Sequence, residues 1–127
     1  MTNTETSDVE ASIGQCIRIA KAGADFVRIT IPSVRDTIYL KQIREGLIKK
    51  GYRFPLIADI HFNPQVAEVA ATMVDKVRIN PGNYTGRNKT GSIDYSDDGY
   101  QLALKKIKDR FIPLLHICKK NPTAIRI

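Results

Sequence analysis

The sequence has few cysteines and lacks long apolar segments. Its two cysteines, Cys16 and Cys118, lie far apart and outside any spacing that is typical of metal ligands. We therefore predict a reducing, cytosolic setting. No apolar run reaches the roughly 18 residues that a helix needs to cross a bilayer. Residues 1–12 are polar and acidic, unlike a secretory signal, so neither a membrane span nor export is predicted.

The sequence also has fewer acidic than basic residues. The chain has 20 lysines and arginines against 13 aspartates and glutamates, a formal net charge of +7, which suits anionic partners. The segment GRNKTG, residues 86–91, lacks the glycine and lysine spacing of a phosphate-binding P-loop. The aromatic residues near it are Tyr84 and Tyr95, too few for a base-stacking surface. The composition therefore favours a small anionic ligand over nucleic acid.

Apolar periodicity and capping residues predict four helices that alternate with four strands. The helices are expected from Asp8 to Ala22 behind a Ser7–Glu10 capping box, from the Ser33–Asp36 cap to Lys50, from Asn63-Pro64 to Val74, and from Ser96 to Asn121 with an interruption near Pro113. On the second helix, we expect Ile38, Ile43 and Leu47 to be buried. The strands are expected in DFVRITI (25–31), FPLIADIH (54–61), DKVRIN (75–80) and TAIRI (123–127).

This alternation predicts an α/β fold built of parallel βα units. We expect residues 1–127 to form a single, partial (βα)₈ TIM-barrel domain. Four strands cannot close an eight-stranded barrel. The sequence therefore reads as a piece of a larger βα protein.

Three of the predicted strands carry an arginine between aliphatic residues. Because strand side chains alternate between faces, Arg28 and Thr30, Asp59 and His61, Arg78 and Asn80, and Arg126 are expected on the face opposite the aliphatic one. Arginine stays charged when buried, and an unpaired buried charge is costly. With Asp59 as the one carboxylate for three arginines, this face is predicted to bind an anion. Guanidinium groups match phosphate oxygens in pairs, so a diphosphate would suit them.

Four segments, MTNTETSDVEA (1–11), GADFVRITIPS (23–33), LIADIHFN (56–63) and VRINPGN (77–83), together resemble the 4-hydroxy-3-methylbut-2-enyl diphosphate synthases. The resemblance covers nearly the whole chain. The segment GRNKTGSIDYSDDGYQLAL (86–104) is similar to the longer type of the family, which carries an inserted domain. The resemblance implies a TIM barrel that binds 2-C-methyl-D-erythritol 2,4-cyclodiphosphate. It further implies a C-terminal domain whose [4Fe–4S] cluster is held by three cysteines and a glutamate.

The family's reaction is a two-electron reductive opening of the cyclic diphosphate in non-mevalonate isoprenoid biosynthesis. The resemblance implies ferredoxin or flavodoxin as the electron donor and a homodimer in which one subunit's cluster domain caps the other's barrel. It implies a cytoplasmic enzyme, or a plastid enzyme in a plant-type source. No membrane or nucleic acid partner is expected.

Matched residue by residue, the resemblance implies a substrate-binding set and one catalytic candidate. The catalytic candidate is Asp59, which would handle a proton or orient an arginine. The residues implied to bind the substrate are Arg28, Arg78 and Arg126 on the diphosphate, His61 on a phosphate, and Asn80 and Asn83 as hydrogen-bonding groups. Thr2, Asn3 and Thr4 match the segment that follows the family's first strand.

The sequence also departs from the family. The first strand, the second half of the barrel, the inserted domain and the cluster cysteines have no counterpart, and Cys16 and Cys118 match no cluster ligand. We therefore expect the chain to be inactive by itself. The alternative from the residues is a phosphate- or pterin-binding βα-barrel fragment without redox chemistry, although three arginines favour a diphosphate over a pterin.

Overall fold

The computed structural model of the chain describes residues 1–61, 63–82 and 97–127. Within these ranges, helices and strands alternate from α1 to β4. The helices are α1 Val9–Lys21, α2 Asp36–Lys49, α3 Pro64–Ala70 and α4 Asp97–Lys120. The strands are β1 Val27–Thr30, β2 Leu56–Asp59, β3 Lys76–Arg78 and β4 Ala124–Arg126. The predicted order of elements is therefore confirmed.

The four strands form one sheet in the order β1-β2-β3-β4, and each pair is parallel. Each strand thus lies beside the next one along the chain, with one helix among the described residues of each connection. This is the arrangement that successive βα units adopt in a barrel wall. It confirms the prediction of parallel βα units.

The core lies between the helices and the aliphatic face of the sheet. Val27 and Ile29 of β1, Ala58 of β2 and Val77 of β3 are all buried there. The helices contribute further buried side chains, which include Ile13, Cys16, Leu40, Ile43, Val66 and Leu114. Full burial of a side chain of this size stabilises the fold by about 1.5–3 kcal/mol. The helices therefore cover one face of the sheet and leave the other for polar side chains.

Helix α1 begins one residue later than predicted, and its cap is a different residue. The N-cap is Asp8, whose Oδ1 accepts from Ala11 N at 3.1 Å. The predicted capping box led by Ser7 is therefore wrong, because the aspartate carboxylate satisfies the free N–H of the first turn. The expected stop is confirmed, since Gly23 follows the helix with φ +98°, a conformation that favours glycine.

Helix α2 buries two of the three residues predicted, Ile43 and Leu47, but not Ile38. Ile38 is 60% exposed, whereas Leu40, Ile43 and Leu47 are buried. Leu40, Ile43 and Leu47 are spaced by three and four residues, which places them on one helix face. Ser33 N and Oγ both donate to Asp36 Oδ2, at 3.0 and 2.6 Å, but the N-cap position itself is Arg35, without a side-chain cap.

Helices α3 and α4 differ from the prediction at one point each. Asn63 caps α3 as expected, with Oδ1 accepting from Gln65 N at 2.9 Å. The helix ends at Ala70 rather than at Val74, because the following residues form tighter turns. Helix α4 runs without a break through Pro113. The predicted interruption is therefore wrong, and packing of Leu114 and Cys118 after the proline holds the helix in place.

The N-terminal segment covers the free edge of β1. Thr2 N donates to Arg28 O at 2.9 Å, and Thr6 Oγ1 donates to Thr30 O at 2.8 Å. Gln15 of α1 fixes the same segment from the other side, since its Oε1 accepts from Asn3 N at 2.8 Å. Met1 is thereby held next to the polar face of the sheet. Among the described helices, none is long and apolar enough to cross a membrane.

Candidate anion-binding site

The strand register decides which side chains share the polar face. Residues whose Cα atoms are paired point the same way, and the face alternates along each strand. The layer nearer the carboxyl ends of the strands contains Thr30, Asp59, Arg78 and Arg126. The layer below it contains Arg28, Ile57, Lys76 and Ala124. We call this surface the inner face, and it holds the three arginines that the alternation predicted.

Asp59 is the centre of the inner face. Its side chain is only 4% exposed. Oδ1 lies 3.0 Å from Arg78 Nη1 and 3.6 Å from His61 Nε2, and Oδ2 lies 3.5 Å from Arg28 Nε. A buried carboxylate needs such partners. Asp59 on β2 therefore pairs with guanidinium groups from both neighbouring strands, β1 and β3, and fixes the distance between them.

Arg126 is placed differently from the other two arginines. It is exposed, and its Cα pairs with that of Arg78 in the parallel register. Among the described residues, no carboxylate forms an ion pair with Arg126. Two guanidinium groups side by side on adjacent strands repel each other unless an anion lies between them. Arg126 thus supplies charge that the described residues do not neutralise.

The three arginines line one cavity of about 220 Å³. Its remaining walls are apolar: Met1, Phe26 and Ile57. Among the described residues, no carboxylate is part of this lining, and Asp59, which contacts Arg28 and Arg78, is buried. Guanidinium forks on apolar walls bind planar or tetrahedral oxyanions through charge-assisted hydrogen bonds. The cavity therefore has the chemistry of an anion site.

The other predicted site residues lie just beyond the strands. His61 follows β2, is half exposed and lies against Asp59. Asn80 follows β3, and its Oδ1 accepts from Gly82 N at 3.1 Å in a local turn. Asn83, also predicted to bind substrate, lies outside the described residues.

The sequence reasoning missed Lys76 and Met1. Lys76 lies on the inner face two residues before Arg78, so the same alternation should have included it. Met1 is brought to the site by the fold of the chain, and its Sδ lies 3.2 Å from Arg28 Nε. Nothing in the sequence pattern signals a contact between residues so far apart in the chain.

The two cysteines belong to the core and not to this site. Burial raises the pKa of Cys16 to about 11, and burial also raises the pKa of Cys118 above its ordinary value. Both changes keep the thiols protonated, whereas cluster and metal ligands are thiolates. Among the described residues, no three histidine, cysteine or acidic side chains converge as metal ligands. A [4Fe–4S] cluster, which the family resemblance implies, does not fit the residues of this chain.

A separate cavity of about 320 Å³ lies at the amino ends of the strands, near Asp75 and Arg44. Asp75 Oδ2 accepts from Arg44 Nη1 and from Leu56 N, both at 2.9 Å. Burial tends to raise the pKa of Asp75, but these hydrogen bonds outweigh burial and hold the pKa below its ordinary value. Asp75 Oδ2 accepts hydrogen bonds from both α2 and β2, and Asp75 therefore stabilises the fold by joining these two elements. We therefore place the functional site on the inner face, although the cavity there is smaller.

The family model described as the GcpE TIM-barrel domain matches residues 1–127. Proteins named 4-hydroxy-3-methylbut-2-en-1-yl diphosphate synthase (flavodoxin) are 51% identical in Bacteroides fragilis, 52% in Phocaeicola vulgatus and 43% in Protochlamydia amoebophila. Each match covers 100% of this chain but only 20%, 21% and 20% of the respective relative.

The chain thus spans about a fifth of the length of the curated relatives that it matches. The family match agrees with the parallel βα architecture and confirms both the predicted resemblance and the predicted barrel fold. This chain belongs to the GcpE TIM-barrel family.

Proposed function

We propose that this chain is the substrate-binding part of the barrel in a 4-hydroxy-3-methylbut-2-en-1-yl diphosphate synthase. Its inner face binds the diphosphate of 2-C-methyl-D-erythritol 2,4-cyclodiphosphate. One observation carries the proposal: Arg28, Arg78 and Arg126 line a single cavity whose described walls include no carboxylate. The relatives' names support it, because they specify a diphosphate product.

The three arginines have different parts in this proposal. Arg126 attracts the diphosphate most strongly, because its charge is not shared with a carboxylate of the described residues. Arg28 and Arg78 share the charge of Asp59 and contribute mainly orientation. Asp59, predicted as the catalytic residue, then acts by positioning these two guanidinium groups. His61, Asn80 and Asn83 add hydrogen bonds around the phosphates.

The residues that bind the diphosphate can hold the substrate throughout the proposed reaction. The ring opening consumes two electrons and two protons and releases water, while the diphosphate remains attached to the product. Groups that hold the diphosphate therefore keep the reacting carbons in one place from substrate to product. Flavodoxin, which appears in the relatives' names, is the proposed electron donor. The reductive chemistry itself belongs to other parts of a longer, cytoplasmic and dimeric enzyme.

A phosphate- or pterin-binding barrel without redox chemistry is the alternative. A pterin is a flat, largely uncharged ring system, and it would leave the charges of three guanidinium groups unbalanced. The family match also speaks against it, because the relatives carry the synthase name over the whole chain. We therefore prefer the diphosphate.

The test is a thermal melt of the chain with and without the cyclic diphosphate. A ligand that binds only the folded form raises the melting midpoint by mass action. We expect a clear rise that inorganic phosphate does not reproduce. In the Arg126→Ala variant the apparent affinity should fall about 10- to 100-fold, the range for lost hydrogen bonds to a charged group.

Arg53→Ala is the matched control, since Arg53 is an exposed arginine that lines the separate cavity near Asp75. It should bind the cyclic diphosphate as the unmodified chain does. A midpoint that rises equally in Arg126→Ala and the unmodified chain would contradict the diphosphate clamp. A cooperative melt without any rise would show that these four strands do not bind the diphosphate by themselves.

A further inference from the structure

Met1 contacts Arg28, the arginine in the lower layer of the inner face. Arg28 Nε donates to Met1 Sδ at 3.2 Å, and Thr30 Oγ1 lies 4.0 Å from the same sulfur. Met1 also lines the arginine cavity. We infer that Met1 is a positioning residue of the anion site, which directs the guanidinium of Arg28 toward the ligand. This inference rests on the proposed function, because it needs the inner face to bind an anion.

The geometry assigns the two sides of the Arg28 guanidinium to different partners. Its Nε edge faces Met1 Sδ at 3.2 Å and Asp59 Oδ2 at 3.5 Å. No contact with another described residue engages its terminal nitrogens. With the Nε–H held by the protein, the terminal N–H groups are left to form a bidentate pair with phosphate oxygens. Met1 and Asp59 together thus restrict rotation of the fork.

A thioether suits this position because it is uncharged. A carboxylate in its place would neutralise Arg28 and repel a diphosphate, and an ammonium group would repel Arg28 itself. Sulfur is a weak hydrogen-bond acceptor, and the methionine side chain adapts to irregular surfaces. Met1 therefore holds the guanidinium and leaves its charge available to the ligand.

The main chain fixes Met1 against the same residue that its side chain contacts. Thr2, which is 6% exposed, donates its N–H to Arg28 O at 2.9 Å. Residues 1 and 2 thus contact both the backbone and the side chain of Arg28. Met1 itself is 61% exposed, so it buries little surface and contributes little to folding. Its loss should consequently affect ligand binding more than stability.

The experiment uses the chain with a short N-terminal extension, which allows residue 1 to be changed. Pyrophosphate is the probe, titrated by calorimetry. Met1→Ala should weaken pyrophosphate binding about two- to fivefold, the lower part of the range for one hydrogen bond, because sulfur is a weak acceptor. Its melting temperature should stay within about 2 °C of the extended parent. Met1→Leu keeps the apolar volume and should recover part of the affinity.

A spectroscopic signature separates positioning from a general effect on structure. In the ¹⁵N-labelled chain, NMR can follow the exchange of the Arg28 Nε–H proton with water. This exchange should be faster in Met1→Ala and Met1→Leu, because the sulfur that accepts the hydrogen bond is gone. Met73→Ala is the matched control, since Met73 lies in the groove at the other end of the sheet. It should change neither the Arg28 signal nor pyrophosphate binding.

Two failures can be told apart. If Arg126→Ala weakens pyrophosphate binding while Met1→Ala and Met1→Leu bind like the parent, the anion site stands and the role of Met1 is refuted. If the parent does not bind pyrophosphate, or Arg126→Ala binds it unchanged, the anion site fails and Met1 has nothing to position.

Discussion

Charge on the inner face is unbalanced at the level of single side chains. Asp59 is buried and contacts Arg28, Arg78 and His61, so its own charge is satisfied. Arg126 lies beside Arg78 without a carboxylate partner among the described residues. An arginine cannot lose its proton to relieve this imbalance. The face therefore carries positive charge that the described residues leave uncompensated.

Unlike the arginines, which stay charged, the two cysteines are kept neutral by burial. Cys16 is 0% exposed, and burial raises its pKa to about 11. In the native chain, Cys16 should therefore react with a thiol reagent at pH 8.5 far more slowly than an exposed thiol, because only the thiolate is reactive. Cys118→Ser isolates Cys16 for this measurement, and the same variant in denaturant gives the unprotected rate. Equal rates in both conditions would contradict the burial of Cys16.

The same raised pKa has a consequence for stability. A thiol whose pKa is higher in the folded state favours folding at every pH below its unfolded value of about 8.5. That contribution is lost as the pH rises through about 11. Cys16→Ala should therefore lose stability less steeply than the unmodified chain between these values, as measured by urea unfolding. Parallel pH profiles for the two proteins would count against the pKa shift.

At the level of elements, the contact between α1 and α2 depends on a glycine. A Cβ added at Gly46 of α2 would overlap Cδ1 of Ile13 in α1, whose side chain is buried. Glycine in a helix is otherwise unfavourable by about 1 kcal/mol relative to alanine. Its presence here follows from the close approach of the two helices.

Gly46→Ala should consequently destabilise the chain by up to about 2 kcal/mol, because overpacking of about 1–3 kcal/mol exceeds the gain in helix propensity. In an Ile13→Val background, which removes Cδ1, the same change should become neutral or stabilising. Urea unfolding of the four proteins gives the coupling. Gly14→Ala is the control, since its Cβ would meet only Arg18 Nη1 at 3.5 Å. Destabilisation by Gly46→Ala that persists in the Ile13→Val background would refute the overlap.

On the scale of the whole molecule, the sheet carries two separate charged groups, the arginines of the inner face and the Asp75–Arg44 pair. Arg78 and Arg126 end their strands, whereas Arg28 lies one layer nearer the amino ends. Asp75 joins Arg44 and β2 at the amino ends. Both groups belong to the same parallel sheet, so the contacts of Asp75 stabilise the strands from which the inner-face arginines project.

The whole chain should not bind an iron–sulfur cluster. Its sequence has only two cysteines, and both are buried in the core. After anaerobic reconstitution with iron and sulfide, we expect no stoichiometric [4Fe–4S] absorbance band. The Cys16→Ser/Cys118→Ser double variant is the control and should show the same background uptake. A cluster that is present in the unmodified chain and absent from the double variant would overturn this prediction.

The sequence alone determined the order of elements and the residue types on the inner face. Alternation along Arg28, Asp59 and Arg78 predicts one shared face because strand side chains have a fixed period of two. Helix periodicity likewise predicts the core positions Ile43 and Leu47. These features are local, so they can be recognised in a few consecutive residues. The family resemblance rests on the same local segments.

Tertiary structure decided what depends on contacts between distant residues. The sharing of Asp59 between two strands, and the absence of a described carboxylate beside Arg126, follow from how the strands pair. The contact of Met1 with Arg28 spans 27 positions and has no periodic signal. The unbroken helix through Pro113 shows the same principle, because packing against the core outweighs one local preference. Sequence patterns report local geometry, and only the folded chain sets which charges and side chains meet.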